Sequence, residues 1–216
     1  MARPAGLDEE QRREQRRRAL LDSALELFSS RGYLGTPIED LCRHAHLSTK
    51  SFYGVYTSRE ECYLDLMSEV TERLMSAMAD AVLAETFAPG DHTPEDRLIG
   101  ALAHLMADDP RGAVVLFGRG SATTFAVEER RRSNRRRAAQ LLVGIWQRAR
   151  PDVDIRPGAA TGTIGGLFDV VADWVAELHA EEHDTTRRPV EVLNERLLGF
   201  YDTVRFGMDH GKEILS

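Results

Sequence analysis

Residues 36–61 read TPIEDLCRHAHLSTKSFYGVYTSREE, and this stretch predicts two short helices joined by a tight turn. A T-x-x-E capping box, with proline at the first helical position, begins the first helix at Pro37. An apolar stripe with helical spacing follows, formed by Ile38, Leu41, Cys42 and Ala45. The stripe predicts that this helix packs against a small core.

The second short helix begins at Ser48, whose hydroxyl can cap it. Phe52 and Tyr56 are predicted to turn inward, while the polar residues between Ser48 and Phe52 face outward. A second capping box, S-x-x-E from Ser58 to Glu61, then begins a much longer helix. The pattern is a helix-turn-helix followed by a long helix.

The rest of the chain repeats the helical period and predicts an all-α fold. A first helix ending near Ser30 precedes the helix-turn-helix, and the long helix runs for roughly 40 Å, to about residue 85. Four longer apolar-striped segments and one short segment, AVVLF, are predicted as helices at 93–108, 113–117, 125–150, 158–178 and 189–210. A lone strand at AVVLF would have no partner for its backbone hydrogen bonds, which favours a helix there.

Composition places the chain among ordinary globular proteins. Its 216 residues are 42% hydrophobic and 29% charged, with no apolar run long enough to span a bilayer. No membrane partner is therefore expected, and the predicted location is cytoplasmic. Cys42 and Cys62 each lie on an apolar helical stripe, which predicts reduced core thiols.

Charge is unevenly placed along the chain. The net charge is −7, yet the N-terminal 59 residues carry a small basic excess that includes the cluster Arg12, Arg13, Arg16, Arg17 and Arg18. That cluster is either a solvated helix start or an arm that contacts phosphates. The six arginines between Arg130 and Arg137 have two interpretations, a solvated or ion-paired segment and a second nucleic-acid contact; charge runs are usually solvated.

No catalytic motif is present in the sequence, which argues against an enzyme. The phosphate-binding glycine motifs, G-x-S-x-G and CxxC are all absent. His179 and His183 are four residues apart beside acidic residues, but a third placed ligand is missing, so no metal and no cofactor are predicted.

Residues 20–63 resemble the N-terminal domain of the TetR (tetracycline repressor) family of bacterial transcriptional regulators. The matching features are the run ALLDSALELFSSRGYLGTPIEDL, the segment STKSFY, the aromatic Tyr56 and the segment SREE. The resemblance implies an all-α homodimer, in which a flexible tail (1–11) precedes a DNA-binding domain (12–60) and a ligand-binding and dimerisation domain (61–216). His46 and Val55 depart from the family pattern, so the turn must accept a histidine at positive φ or bend differently.

The resemblance also implies three groups of site residues. The DNA-binding group is Thr36, Ser48, Thr49, Lys50, Ser51, Tyr53 and Arg59. In an inducer pocket enclosed by the middle helices, the candidates are Met106, Phe117, Trp146 and Phe168, which are otherwise plain core. On the last two long helices, the dimer candidates are Leu167, Val171, Trp174, Leu197, Tyr201 and Val204; these helices either close the core or pair with a second copy.

The expected function is that of a homodimeric repressor that binds a palindromic DNA operator and is released by a small-molecule inducer. A constitutive or architectural DNA-binding protein without an inducer is the first alternative. A helical protein-interaction module is the second, and failure to bind any DNA at low salt would favour it.

Overall fold

A computed structural model describes residues 8–83, 93–118, 124–152, 154–156, 158–178 and 189–214. Side chains are described up to residue 81 in the segment that ends at 83, and up to residue 208 in the segment that ends at 214. The described residues contain no strand and form nine helices, which confirms the all-α prediction. The helices are α1 Glu9–Arg31, α2 Ile38–His44, α3 Thr49–Tyr53, α4 Arg59–Leu83, α5 Pro94–Asp108, α6 Pro110–Phe117, α7 Phe125–Ala149, α8 Ala159–Leu178 and α9 Pro189–Ile214.

Helix α1 begins earlier than the sequence predicted. The side chain of Asp8 accepts a hydrogen bond from the backbone of Gln11, and the side chain of Gln11 accepts one from the backbone of Asp8. This capping box satisfies two donors at the helix start and extends the helix back to Glu9. The predicted flexible tail over residues 1–11 is therefore wrong for residues 9–11, and residues 1–7 lie outside the described part of the chain.

The predicted capping box at Thr36 is also wrong. Pro37 occupies the N-cap position of α2 and the helix start has no side-chain cap. The Thr36 side chain is fully buried instead, with Oγ1 lying 2.8 Å from the carbonyl of Gly32 and 3.2 Å from that of Leu27. Its hydroxyl ties the loop before α2 back to the end of α1.

The turn between α2 and α3 is a Schellman motif with a histidine in the left-handed position. His46 has φ 55°, its N–H donates to the carbonyl of Arg43 at 3.3 Å, and the N–H of Leu47 donates to that of Cys42 at 2.8 Å. The turn therefore accepts the histidine at positive φ, one of the two possibilities that the sequence left open. Helix α3 then packs its inward face, with Phe52, against α1 and α2.

Helix α4 joins the helix-turn-helix to the rest of the molecule. Its 25 residues extend about 37 Å. At the N-terminal end, the buried hydroxyl of Tyr63 donates to the carbonyl of Val115 in α6 at 2.8 Å. Further along, α4 packs against α5 and α7. One helix thus contacts both the N-terminal helices and the C-terminal bundle.

The C-terminal bundle packs α5 to α9 around one continuous core. Trp146 is buried there and its Nε1 donates to the hydroxyl of Tyr201 at 2.6 Å. Glu95, also buried, accepts from Arg150 at 2.8 Å. Both pairs join helices far apart in sequence, so they fix how α5, α7 and α9 pack.

The predicted dimer contacts lie mostly inside the protomer. Leu167, Val171, Trp174, Leu197 and Tyr201 are all buried by the same chain, so the sequence prediction for these five is wrong. The apolar stripes of α8 and α9 close the bundle core, which was the alternative reading. Val204 is half-buried and remains a candidate.

Two further predictions concern the cysteines and a histidine pair. Cys42 and Cys62 are buried free thiols, as predicted, and burial raises the pKa of Cys62 to about 12. The pair His179 and His183 lies outside the described residues. No helix in the described ranges is long and apolar enough to cross a membrane.

Candidate nucleic-acid interface and cavity

The outward face of α3 presents short hydroxyl side chains around one long cation. The Ser48 hydroxyl accepts from the backbone N–H of Ser51 at 3.1 Å and lies 2.9 Å from the Ser51 hydroxyl. Thr49 and Lys50 are exposed beside them. This face is narrow and rich in donors and acceptors, which suits contact with base edges and phosphates in a major groove.

The inward face of α3 fixes the helix in place. Phe52 is fully buried and its ring lies 5.6 Å from that of Tyr53 and 5.7 Å from that of Tyr56, centroid to centroid. Tyr53 itself is 57% exposed, so its hydroxyl can reach outward. A five-residue helix cannot hold its shape alone, and the buried ring supplies the anchor.

Arg59 joins the start of α4 to the segment before α2. Its Nη1 donates to the carbonyl of Thr36 at 2.8 Å, and its guanidinium carbon lies 4.2 Å from the ring centroid of Tyr33. These contacts join the start of α4 to the loop before α2. Thr36 was predicted in the DNA-binding group, but it is buried with its hydroxyl turned to backbone carbonyls, so its side chain is not available to contact DNA.

Asp65 is the centre of a charged network beneath the helix-turn-helix. Arg17 donates to both carboxylate oxygens, at 2.7 and 2.9 Å, and the Tyr56 hydroxyl donates at 2.7 Å. Burial alone would raise the pKa of Asp65, but the hydrogen bonds from Arg17 and Tyr56 outweigh it and hold that pKa below its usual value. The network joins three parts of the chain: helix α1, helix α4, and the segment that follows α3.

The N-terminal arginine cluster divides between structural and exposed members. Arg17 serves Asp65, and Arg13 donates to the carbonyl of Val55 at 3.3 Å. Arg18 pairs with Glu14, whereas Arg12 is exposed. Only part of the cluster is thus placed to meet a phosphate.

A cavity of about 150 Å³ lies in the C-terminal bundle between α4, α5, α6, α7 and α8. Its lining is mainly apolar, with Met67, Leu74, Met75, Met78, Leu98, Leu102, Leu116, Phe117, Ala138, Ile164, Leu167, Phe168 and Ala172. The polar members are Thr71, Arg131, Asn134, Arg135 and Asp169. The rings of Phe117 and Phe168 contact each other across the cavity wall, with centroids 4.8 Å apart.

The arginines of α7 differ in what surrounds their side chains. Arg132 and Arg136 pair with Glu128 and Glu129 of the same helix, and Arg137 pairs with Glu72 of α4. These three pairs agree with the ion-paired interpretation. Arg131 and Arg135, four residues apart, belong instead to the wall of the cavity.

Residues 20–66 match the family described as bacterial regulatory proteins, tetR family. The match covers the helix-turn-helix and the start of α4, so this part of the chain is similar to the N-terminal domain of that family. No curated protein sequence matches the chain.

Solved structures show a likeness in fold over most of the chain. FadR from Bacillus subtilis, solved with stearoyl-CoA, superimposes with a TM-score of 0.65 at 18% identity, over 85% of this chain and 96% of that one. FadR from Bacillus halodurans gives 0.69 at 14% identity, over 86% and 94%. A transcriptional regulator from Pseudomonas aeruginosa PAO1 gives 0.66 at 17% identity, over 93% and 97%. At such identities the likeness shows the fold.

In the TetR-type domain, the structure gathers most of the predicted DNA-binding residues on one surface. Ser48, Thr49, Lys50, Ser51 and Tyr53 share the short helix α3 or its cap. Of the four pocket candidates, Phe117 and Phe168 line the wall of the cavity, whereas Met106 and Trp146 are buried in the core outside it. Met106 and Trp146 lie on apolar helix faces that pack into the core.

Two sets of interacting or neighbouring residues were not predicted from the sequence. The Arg17–Asp65–Tyr56 network joins residues 48 positions apart, a pairing that no local pattern indicates. The cavity arginines Arg131 and Arg135 were hidden within a run that covers most of the helix circumference. The spacing of four residues between Arg131 and Arg135 was the one available signal, and Arg132 and Arg136 in the same run have the same spacing.

Proposed function

We propose that this protein is a cytoplasmic, homodimeric repressor that binds a palindromic DNA operator through α3 and is released when a small molecule occupies the cavity. The supporting observation is that one helix, α4, is hydrogen-bonded to the helix-turn-helix segment through Arg59 and Asp65 and also lines the cavity, at Met67, Leu74 and Met78. The B. subtilis FadR complex with stearoyl-CoA supports ligand responsiveness. Residues 9–60 would form the DNA-binding domain and residues 61–216 the regulatory domain.

In this proposal, α3 enters the major groove and Lys50 contacts a base edge or a phosphate. Tyr53 and the serine hydroxyls would position the helix on the backbone. Arg59 would combine its structural contact to Thr36 with a phosphate contact from its remaining nitrogens. Two such domains would read half-sites about 34 Å apart or somewhat more.

Signal transfer would run through α4 and α6 together. Leu116 and Phe117 at the end of α6 line the cavity, and Val115 beside them accepts the hydrogen bond of Tyr63. Arg111, earlier in α6, pairs with Glu26 of α1 at 3.1 Å. A ligand that displaces the end of α6 would therefore move both α1 and α4, and with them α3.

The dimer surface would be the outer faces of α8 and α9. Gly162, Gly165, Gly199 and Gly207 have no atom of the described residues within 4 Å of where a side chain would begin, and Phe206 is 59% exposed. Open glycines let a second helix approach closely, which compensates their cost of about 1 kcal/mol each in a helix. Gly166 differs, because a Cβ there would overlap the ring of Phe200 in α9.

Selection of bound sequences from random duplex DNA tests the proposal, and a palindrome is the expected result. Lys50→Ala should then weaken operator binding by about 1–3 kcal/mol, and Tyr53→Phe should weaken it with little change in base preference. Fluorescence anisotropy at fixed salt measures both. Arg148→Ala, an exposed cation at the far end of α7, is the matched control and should leave affinity unchanged. Unchanged affinity in both α3 variants would contradict the assignment of this surface.

A further inference from the structure

We propose that the cavity takes a monoanionic amphiphile, a carboxylate on an apolar body of roughly six to eight carbons, and that Arg135 binds its carboxylate. The inference rests on the proposed ligand-responsive function and names the chemical class of the ligand.

The size and lining of the cavity define the apolar body. A cavity of about 150 Å³ with a mainly apolar lining accommodates a molecule of about benzene size. Three methionines line it, Met67, Met75 and Met78, and their flexible side chains can adapt to a linear or a ring-shaped body. Most of the lining offers no hydrogen bond, so the bulk of the ligand must be apolar.

One wall of the cavity is cationic. Arg131, Asn134 and Arg135 lie along one side of α7, and Asp169 is the one acid among the lining residues. The guanidinium of Arg135 on this wall complements one negative charge on a ligand. The side-chain amide of Asn134 already donates to the Thr71 hydroxyl at 2.8 Å, which holds this wall in position.

Arg135 carries the observation that requires a partner. Its Nε is buried, and no acceptor of the described residues lies within hydrogen-bonding distance. A buried donor without an acceptor costs free energy, and an arginine donor regains the most from an anionic oxygen. The neighbouring Arg132 and Arg136 each face a glutamate instead. The guanidinium of Arg135 is thus the one in this run whose unmet donor lies at the cavity wall.

Calorimetric titration of the full-length protein with probes that differ only in the head group tests the charge. Octanoate should bind at least roughly tenfold more tightly than octanamide or octylammonium, because only the carboxylate meets the cationic wall. 4-Ethylbenzoate tests a ring-shaped body with the same head. Octanoyl-coenzyme A, whose head carries several phosphate charges, should bind more weakly than octanoate.

Two variants of α7 test the residue. Arg135→Gln should weaken octanoate roughly tenfold or more and leave octanamide unchanged. Arg136→Gln, one position along and paired with Glu129 at 2.9 Å outside the cavity, is the control and should bind octanoate like the wild type. Equal weakening by both variants would show a general charge effect and overturn the proposal. The head-group series on the wild type does not depend on how the variants fold.

The two proposals can fail separately. If neither octanoate nor 4-ethylbenzoate binds, or octanamide or octanoyl-coenzyme A binds as tightly as octanoate, the ligand class is overturned even when DNA selection returns a palindrome. If the protein binds no DNA, the regulator proposal fails, and carboxylate binding is still read directly by calorimetry.

Discussion

At the scale of single residues, the same residue type does different work depending on what the fold places beside it. Arg17 and Arg136 both lie within arginine-rich runs, yet Arg17 makes a two-pronged contact to a half-buried carboxylate and Arg136 pairs at the surface. Two-pronged arginine–carboxylate pairs combine charge with fixed geometry, while exposed pairs contribute little. Asp65, which receives Arg17 and Tyr56, is therefore the charged residue most important for the N-terminal helices.

Asp65→Asn should lower the free energy of unfolding by about 2 kcal/mol at pH 7, since it removes a charged acceptor from Arg17 and Tyr56. The folded-state pKa of Asp65 is lowered, so its stabilisation is present above the ordinary carboxyl pKa and is lost as the pH falls through the folded value. Urea denaturation followed by circular dichroism from pH 7 to pH 3 measures this.

The gap between wild type and variant should close below about pH 4. Asp108→Asn is the matched control, because Asp108 is exposed and its carboxylate lies 3.7 Å from Nδ1 of His104, outside any network like that of Asp65. A gap that persists undiminished at pH 3 would mean that the charge of Asp65 is not what stabilises the network.

At the scale of elements, the turn between α2 and α3 sets how the recognition helix is presented. Its Schellman hydrogen bonds require a left-handed residue, and this chain uses His46 where glycine is the easiest choice. An L side chain in that conformation carries strain of roughly 1 kcal/mol. The turn keeps its geometry because Leu41, Cys42 and Phe52 on either side are buried.

His46→Gly should raise the free energy of unfolding by about 0.5–1 kcal/mol, because relief of the positive φ outweighs the extra chain entropy of glycine. Thermal and urea unfolding measure the change. His44→Gly, two positions earlier and inside α2, should have the opposite effect, since glycine weakens a helix. Destabilisation by both substitutions would show that the His46 side chain makes a contact worth more than its strain.

At the scale of the whole molecule, two shared helices relate the DNA-binding surface to the cavity. Helix α4 packs against α1, is hydrogen-bonded to Thr36 before α2 and Tyr56 after α3, and lines the cavity. Helix α6 contacts α1, α4 and the cavity. Tyr63 joins α4 and α6 through one buried hydrogen bond to Val115. A displacement at Phe117 therefore has a short physical route to α3.

Tyr63→Phe should preserve operator binding and reduce the effect of a ligand on it, because it removes the hydrogen bond between α4 and α6 while keeping the ring. The ratio of operator affinities with and without saturating octanoate measures this coupling. Tyr201→Phe removes a buried hydroxyl at the other end of the bundle and is the control, expected to keep the ratio. An unchanged ratio in the Tyr63 variant would place the route elsewhere.

Gly199→Glu should convert the proposed dimer to a monomer, because it puts a charged side chain on the open outer face of α9. Light scattering after size-exclusion chromatography measures the mass. Gly144→Glu, at an equally open glycine of α7, should stay dimeric. Dimers of unchanged stability in the Gly199 variant would move the interface away from α9.

By itself, the sequence determined the helical class, the helix-turn-helix and the outward direction of Thr49, Lys50 and Tyr53. These follow from local rules, namely 3.6-residue periodicity, side-chain caps and the alternation of apolar and polar positions. Even the burial of Phe52, Cys42 and Cys62 followed from their stripes. Local patterns failed first at helix starts, where Thr36 turned its hydroxyl inward because backbone carbonyls of α1 lie within reach.

The tertiary structure alone decided which apolar faces meet and which charges face a cavity. An apolar stripe shows that a residue is buried but not against what, so Trp174 and Tyr201 closed the core of their own chain. A run of arginines that surrounds a helix has no preferred face until its neighbours are in place. Packing against α4 and α8 gave it one, and put Arg135 at the wall of the cavity.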